Sequence, residues 1–472
     1  MKRNRTHQTS IFRWFIGICF CVSLLYPISA PCAPAAAEWK AGVASAVTTP
    51  DTPVWMAGYG NRKEPSQGKI SDIYVKALAL QDPQGTRAVI VTADIVGYGE
   101  GFTAGIAAEI KKRFGIPREA ILFNASHTHC GPEIRPEKEI FINITPEYAS
   151  KLEIYKSGLQ EKFVRVISEA IKGLQPAQLS YSTGNPVPFA VSRRFPTDKG
   201  IVYRSSPSSY YTGGSRDDVV PVLKVADTNG AIRAILFGYA CHPITLSVDY
   251  ICGDYPGFAQ QYIQEMYPGA TALFVQGCTG ELVPNARFQV EYAMGHGKAL
   301  AEAVKKALDG NQKPIVGPLK CAYQEVTLDC KPVPDRKTLE ENRKSSKPTL
   351  SRKSAFFLDK IAKGEKIKES VPCPLQVLHF GKELLFIGIG GETVVDYAVN
   401  LKSEFKNPDQ PVWVAGYCNY VFGYLPTLKI LKEGGYEGGD ALLDTQFSGP
   451  FSEKVEDQVM GGVRKLVAKV SE

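Results

Sequence analysis

The chain has 472 residues, 44% hydrophobic and 22% charged, with a formal net charge of +7. Residues 1–37 hold four basic and no acidic residues, so residues 38–472 carry a net charge near +3. A charge this small and scattered argues against nucleic acid as a partner. The length can bury a large core, and cysteines are too few for a disulfide-dense scaffold.

Residues 1–37 have the pattern of a secretory signal peptide. Its three parts are a basic start, an apolar core and small-residue cleavage sites, found at Lys2, Arg3 and Arg5, at residues 16–28, and at residues 29–30 or 35–37. The apolar core is short and closely followed by prolines, which argues against a membrane span. We expect export to the periplasm or the medium, and an uncleaved anchor is the alternative. Residues 38–472 then form a single catalytic domain.

Apolar, β-branched runs alternate with helical patterns along the rest of the chain. The clearest predicted strands are residues 88–93, 120–125, 234–240, 270–275, 384–389 and 412–416. The predicted helices are residues 103–114, 146–173, 255–267, 292–308 and 452–470. Strands this continuously apolar are typically covered on both faces. The predicted fold class is therefore α/β, with mixed buried β-sheets flanked by helices.

Two histidines close one of these runs, at His127 and His129 in residues 121–132. On an extended segment, side chains two residues apart project from the same face, so both imidazoles could bind one metal ion. The alternative is a pair of hydrogen-bonded core histidines.

Other polar residues follow other predicted strands, namely His242, Glu392, Tyr420 and Tyr424. Catalytic groups of α/β proteins gather where strands end, so these side chains are expected around one centre. Two imidazoles and a carboxylate form a common zinc site. Taken singly, His242 could be structural, and Glu392 could be an acid at a helix N-terminus.

Residues 331–370 contain twelve lysines and arginines against six acidic residues. We interpret this stretch as a solvated helical insertion with a basic surface. A patch in peripheral contact with a membrane surface is the alternative.

An even number of cysteines in an exported chain permits disulfides. Eight follow Cys32, and the pairs closest in sequence are Cys321 with Cys330 and Cys241 with Cys252.

Several motifs together resemble the N-terminal catalytic domain of the neutral/alkaline, non-lysosomal ceramidase family. They are residues 42–43, 54–60 and 73–80, Asn124–Pro132, Ala240–Pro243, Phe274–Asn285, Gly391-Glu392, Asn419–Tyr424 and Tyr436–Gly438. The His-Thr-His-x-Gly-Pro element and the late Tyr…Tyr-Glu-Gly element are specific in combination. The resemblance covers most of residues 38–472.

This resemblance implies a zinc site and a set of catalytic residues. The implied zinc ligands are His127, His242, Glu392 and Tyr424, and the implied catalytic residues are His129, Arg193 and Tyr436. A twelve-residue interval between the two family tyrosines favours Tyr424 over Tyr420, while Arg194 remains an alternative to Arg193.

One departure concerns the substrate site. Where the family carries a serine that belongs to the substrate site, this chain has Val283, within Gly280–Asn285. Valine can neither donate a hydrogen bond nor act as a nucleophile, so a mechanism that needs this hydroxyl is excluded. The departure puts ceramide itself in doubt and leaves the metal site whole.

The chemistry implied is zinc-assisted attack of water on an amide carbonyl. Tyr436 and Arg193 would stabilise the oxyanion, and His129 would transfer the proton. Asp94 and Asp254 are candidates to orient a ligand histidine. The predicted function is hydrolysis of the N-acyl bond of ceramide or a similar N-acylated lipid or amine.

Two other classes of function remain open at this point. One is a non-catalytic lipid- or glycan-binding relative that retains the zinc fold. The other is a thiol hydrolase using Cys130 or Cys241 beside a histidine.

Overall fold

The apolar runs form the strands of two main sheets in the computed structural model, which describes residues 38–142, 144–204 and 211–472. The proposed signal peptide lies outside these described residues. The strands are β1 (Trp39–Val47), β2 (Tyr74–Gln81), β3 (Arg87–Ala93), β4 (Ile121–Ala125), β5 (Gln175–Gly184), β6 (Ala190–Ser192), β7 (Arg194–Thr197), β8 (Gly200–Tyr203), β9 (Val220–Ala226), β10 (Ile232–Tyr239), β11 (Thr271–Gln276), β12 (Leu282–Pro284), β13 (Lys313–Ile315), β14 (Leu319–Asp329), β15 (Ser370–Phe380), β16 (Leu384–Ile389), β17 (Glu392–Thr393), β18 (Val412–Ala415) and β19 (Tyr424–Leu425).

Helices cover these sheets and include all five that the sequence predicts. They are α1 (Phe102–Phe114), α2 (Pro146–Lys172), α3 (Asp254–Met266), α4 (Val290–Asp309), α5 (Arg336–Asn342), α6 (Pro348–Ala362), α7 (Val395–Glu404), α8 (Leu428–Glu433), α9 (Gly435–Gly438) and α10 (Val455–Ser471). The predicted bounds agree with the observed ones to within three residues. Among the described helices, none combines the length and apolar character needed to cross a bilayer.

The larger sheet has the strand order β11-β10-β9-β5-β1-β2-β3-β4, with β13 paired to β5. The smaller sheet has the order β14-β15-β16-β18. Both contain parallel and antiparallel pairs, since β3–β4, β10–β11 and β16–β18 are parallel whereas most other pairs are antiparallel. The predicted class, α/β with mixed buried sheets flanked by helices, is confirmed.

Both edge strands of the larger sheet, β4 and β11, end against the edge strand β18 of the smaller sheet. Asn124 of β4 forms an isolated bridge with Cys418, just after β18, and Gly277 after β11 forms another with Ala415 of β18. The Asn124 amide also donates to the carbonyls of Gly416 (2.8 Å) and Gln276 (3.3 Å). This junction gathers the ends of strands that the sequence separates by almost 300 residues.

The basic segment 331–370 is helical, as predicted, but it is only partly solvated. It contains α5 and α6, and Lys353, Ser354 and Phe357 of α6 are buried against the body of the protein. One face of α6 packs inward, so the segment is not exposed to solvent throughout.

All eight cysteines that follow Cys32 are free thiols, and seven of them are buried. Neither of the two closest sequence pairs is bonded.

Candidate functional site

The two histidines of the motif lie beyond their strand, not within it. β4 ends at Ala125, and His127 adopts a left-handed backbone conformation with φ of 66°. The prediction that both histidines lie on an extended segment was therefore wrong, although the two rings do lie close together. The turn still brings the rings together, with 3.2 Å between the Nε2 atoms of His127 and His129.

The third histidine comes from the end of β10. The side-chain nitrogens of His127, His129 and His242 lie within 4.8 Å of one another, and His127 and His242 are almost completely buried. A buried three-histidine group of this kind can bind a metal ion.

Glu392 and Tyr424 are placed beside this group by their own backbone pairing. The short strands β17 and β19 pair in parallel, with Glu392 directly opposite Tyr424. Glu392 Oε2 lies 3.2 Å from His127 Nε2 and 3.5 Å from His242 Nε2, and the Tyr424 hydroxyl lies 3.2 Å from His242 Nε2. Tyr420 instead packs against Phe422 in the core, which favours Tyr424 as the site tyrosine.

Backbone carbonyls fix the tautomers of two of the histidines. His127 Nδ1 lies 2.5 Å from the Val96 oxygen, and His242 Nδ1 lies 2.8 Å from the Thr279 oxygen. A carbonyl can only accept, so each Nδ1 carries the proton. Each Nε2 then directs its lone pair into the space beside Glu392. These two carbonyls could not be predicted from the sequence, because main-chain groups carry no residue-type signal.

The donor set fits a metal ion. The lone pairs of two imidazoles converge on Glu392 Oε2, and that buried oxygen has no hydrogen-bond donor. Acceptor atoms this close repel one another unless a cation lies between them. Imidazoles oriented by carbonyls at Nδ1 are the usual arrangement around a bound metal. The structure thus brings the predicted ligands together, and their roles as ligands remain predictions.

Electrostatics hold these groups in the protonation states that metal ligands need. Burial lowers the pKa of His242 to about 4, and burial with the neighbouring imidazoles holds the pKa of His129 well below its ordinary value. Burial raises the pKa of Glu392, but ionic contact with His127 and His242 holds it well below its ordinary value when an imidazole carries a proton at Nε2, and a cation in the same place acts in the same direction. At neutral pH the carboxylate is therefore ionised, whereas His129 and His242 are uncharged.

Arg193 contacts the proposed ligand Tyr424, whereas Arg194 does not. Arg193 Nη2 donates to the Tyr424 hydroxyl (2.7 Å) and to the Gly280 carbonyl (2.9 Å), while its Nε donates to Glu437 (2.7 Å). Arg194 turns away, and its guanidinium binds the other oxygen of Glu437 at 2.9 Å. Both arginines thus share one buried carboxylate that the sequence analysis did not single out, although Glu437 stands next to the predicted Tyr436.

The site opens into a pocket of about 290 Å³. His127, His129, Glu392, Tyr424 and Tyr436 all line it. The Tyr436 ring lies edge-on to the Tyr424 ring, with centroids 5.2 Å apart, and 37% of the residue is exposed. Tyr436 is therefore positioned to meet a ligand in the pocket.

The two aspartates do not orient the histidines. Asp94 accepts from the Tyr74 amide and from Gln260, and Asp254 accepts from the amides of Leu246 and Tyr255. That expectation was wrong, because backbone carbonyls perform the role instead.

The cysteines beside the motif histidines are unsuited to nucleophilic catalysis. Cys130 and Cys241 are fully buried, and burial raises the pKa of both thiols well above the ordinary value. Because the thiolate is the nucleophile, these thiols are inert at neutral pH.

Val283 belongs to a small apolar cluster. It pairs with Val191 across β12 and β6 and packs with Ile244, and it is not among the residues that line the pocket. The position that carries a substrate-site serine in the resemblance is a core position in this chain.

The comparison with known sequences then decides the family. The sequence model of the neutral/alkaline non-lysosomal ceramidase family, N-terminal part, matches residues 39–330, which is more than half of the chain. The chain belongs to this ceramidase family. Glu392, Tyr424 and Tyr436 lie beyond the matched residues.

Individual ceramidase relatives are distant in sequence. Neutral ceramidase 1 of Arabidopsis thaliana is 21% identical over 240 residues, covering 48% of this chain and 29% of that protein. The neutral ceramidase of Drosophila pseudoobscura pseudoobscura is 28% identical over 111 residues, covering 23% and 16%. The matched part of the chain thus spans less than a third of the length of these curated relatives.

Solved ceramidase structures share the fold over almost the whole chain. The neutral ceramidase from Pseudomonas aeruginosa matches with a TM-score of 0.69 and 19% identity, covering 91% of this chain and 75% of that one. A structure described as ceramidase complexed with C2 matches with a TM-score of 0.67 and 18% identity.

Proposed function

We propose that this chain is an exported, zinc-dependent amidohydrolase that cleaves the N-acyl bond of ceramide or of a ceramide-like N-acylated amine. The observation that carries the proposal is the convergence of two imidazole lone pairs on the donorless Glu392 Oε2. His127, His242, Glu392 and Tyr424 would hold the zinc ion. Membership of the ceramidase family supports the amide as the bond that is cleaved.

When bound, zinc would lower the pKa of a water molecule and polarise the amide carbonyl. The protein supplies the remaining functions, starting with Arg193, whose charge lies beside the Tyr424 hydroxyl and 5.4 Å from the centroid of the Tyr436 ring. That fixed charge, with the Tyr436 hydroxyl, would stabilise the negative charge that develops on the carbonyl oxygen.

His129 is the residue for proton transfer. Burial and the neighbouring imidazoles hold its pKa well below the ordinary value, so the ring is uncharged at neutral pH and would accept a proton from the attacking water. As the oxygen–carbon bond forms and the carbon–nitrogen bond breaks, the same proton passes to the leaving nitrogen. The acid that forms gives up its proton to the amine, so the products at neutral pH are a carboxylate and a protonated amine.

Zinc content and turnover, measured together, test the proposal. Wild type, His127→Ala and the control His379→Ala would be analysed for zinc by elemental analysis and assayed on a short-chain fluorescent ceramide. His379 lies outside the site, hydrogen-bonded to Gln410. We expect one zinc per chain and turnover in wild type and control, both lost in His127→Ala.

The other outcomes separate the parts of the proposal. Zinc without turnover of ceramide would keep the metal site and direct the search to other N-acylated amines. A wild-type protein that binds no zinc would refute the mechanism.

A further inference from the structure

The pocket wall includes a cluster of cationic side chains that the proposed mechanism does not use. Arg135, Lys138 and Arg352 all line the pocket, and Arg352 is supplied by α6. The basic segment 331–370 thus contributes directly to the cavity that contains the proposed metal site.

Two of these cations, Lys138 and Arg352, form no close ion pair. Lys138 Nζ donates to the backbone carbonyl of Asp444 (2.9 Å), and Arg352 Nη1 donates to that of Phe141 (2.8 Å). Among the side chains that the structure describes, no carboxylate oxygen lies within 4.0 Å of either cation. The two carbonyls fix both side chains in place, which reduces the entropy lost when they bind a ligand.

The acidic side chains of the same wall do not cancel this charge. Glu133 forms an ion pair with Arg135, whose guanidinium donates to both carboxylate oxygens at 2.8 and 2.7 Å. Asp444 lines the pocket, but it is one carboxylate facing two cations. Glu392, the third acidic side chain of the wall, lies at the proposed metal site, so only the carboxylate of Asp444 is left to balance Lys138 and Arg352.

The pocket is also small. A volume of about 290 Å³ lies at the low end for ligand sites, so a long acyl chain cannot be contained in it entirely. The amine portion of an amide substrate, if short, fits into the pocket. In ceramide this portion carries only uncharged hydroxyls, which offer no charge for the cations to bind.

We propose that the amine portion of the substrate carries an anionic group, a carboxylate or a sulfonate, that binds Lys138 and Arg352. This inference rests on the proposed amide hydrolysis and names the substrate class of the same site. Lys138 and Arg352 then determine specificity for N-acyl amino acids or N-acyl aminosulfonates. The reaction would release a fatty acid and a free amino acid or aminosulfonate.

The test compares anionic amides with uncharged counterparts of the same shape. Dodecanoyl amides of glycine, β-alanine and γ-aminobutyrate would be assayed beside their methyl esters. The dodecanoyl amide of taurine would test a sulfonate in place of the carboxylate. Wild type, Lys138→Gln, Arg352→Gln and the control Lys363→Gln would be measured. Lys363 directly follows the last residue of the same helix, but it pairs with Asp359 on the surface.

We expect wild type and Lys363→Gln to prefer the best anionic amide over its ester by at least about tenfold in kcat/KM. In Lys138→Gln and Arg352→Gln this ratio should fall towards one. A wild-type ratio near one, or a ratio that both substitutions leave unchanged, would overturn the inference.

Failure of the proposed function is distinguishable from failure of this inference. If wild type hydrolyses no amide, affinities of the acid and its ester are measured by calorimetry on the same variants. Tighter binding of the acid by wild type, lost in Arg352→Gln, would support the anion site without catalysis. Equal binding of acid and ester would refute it.

Discussion

At the scale of single residues, the site depends on close contacts made by residues without reactive groups. Gly58 is the clearest case, because its backbone lies directly against the ring of His129. A Cβ atom at this position would stand 2.3 Å from His129 Cγ, and the glycine has φ of +89°. Gly58 therefore acts as a positioning residue for the proposed proton carrier.

The substitution Gly58→Ala should displace the His129 ring and lower kcat about tenfold to a hundredfold, since small misplacements of a catalytic group are costly. Zinc content should stay at the wild-type level, because His129 is not among the proposed ligands. Gly60→Ala is the matched control, since a Cβ there has no neighbour within 4 Å. An unchanged kcat in Gly58→Ala would show that the ring position does not matter.

His242 should make the stability of the metal-free protein depend on pH. Its pKa is about 4 in the folded state and near 6.5 when unfolded, so the unfolded chain binds the extra proton between these values. The contribution of uncharged His242 to the free energy of unfolding is fully present above pH 6.5. Roughly 3 kcal/mol of it is lost as the pH falls towards 4.

Thermal unfolding of the chelated wild type and of His242→Gln at pH 7 and pH 5 measures this effect. The comparison with the variant is needed because Glu281, whose pKa burial raises to about 7, acts in the opposite direction. Parallel pH profiles for the two proteins would contradict the assignment.

At the scale of elements, the junction of the two sheets positions the site. Asn124 is a fully buried polar residue within an apolar strand, and its side chain connects the ends of β4, β11 and β18. Its Oδ1 accepts from the Gln276 amide at 2.8 Å, and its Nδ2 donates to Gly416. The loops that carry His127 and the site tyrosines begin at this junction.

Asn124→Leu should lower the free energy of unfolding by about 3 kcal/mol, because it removes the side-chain acceptor of the buried Gln276 amide and leaves the Gly416 carbonyl only the weak Cys418 thiol donor. Asn400→Ala is the control, since Asn400 is exposed and makes one long hydrogen bond to Glu456. Urea unfolding of both variants gives the difference. A loss in Asn124→Leu no larger than in the control would mean that water or relaxation restores the partners.

The elements also show which parts of the site the sequence could predict. Strands and helices follow from apolar periodicity, and the polar residues just after strands identify His127, His242, Glu392 and Tyr424 as candidates. Their convergence could not be derived from spacing, because it depends on the pairing of β17 with β19 and on the sheet junction. The orienting carbonyls and the carboxylate shared by Arg193 and Arg194 exist only in the folded chain.

At the scale of the whole molecule, the described residues form one compact unit whose two sheets share the site. α6 extends this unit, because one segment that looked like surface in the sequence supplies Arg352 to the pocket. Composition alone identified the segment as basic and helical, but it could not show which face would pack inward.

Export is a property of the whole chain and is tested separately. We expect expression of the full sequence in a Gram-negative host to give a periplasmic or secreted product whose N-terminus lies near residues 30–38. N-terminal sequencing after cell fractionation measures this, and a chain that begins at residue 38 is the cytoplasmic control. An intact N-terminus in the membrane fraction would establish the uncleaved anchor instead.

The convergence of strand ends has a consequence for folding. The proposed ligands at positions 127, 242, 392 and 424 are separated by 115, 150 and 32 residues, and they belong to segments that follow strands of both sheets. One ion binding all four would close loops of these lengths at once, restricting the unfolded chain as a cross-link does. In a chain whose described cysteines are all free thiols, the ion would supply the cross-link that disulfides supply in many secreted proteins.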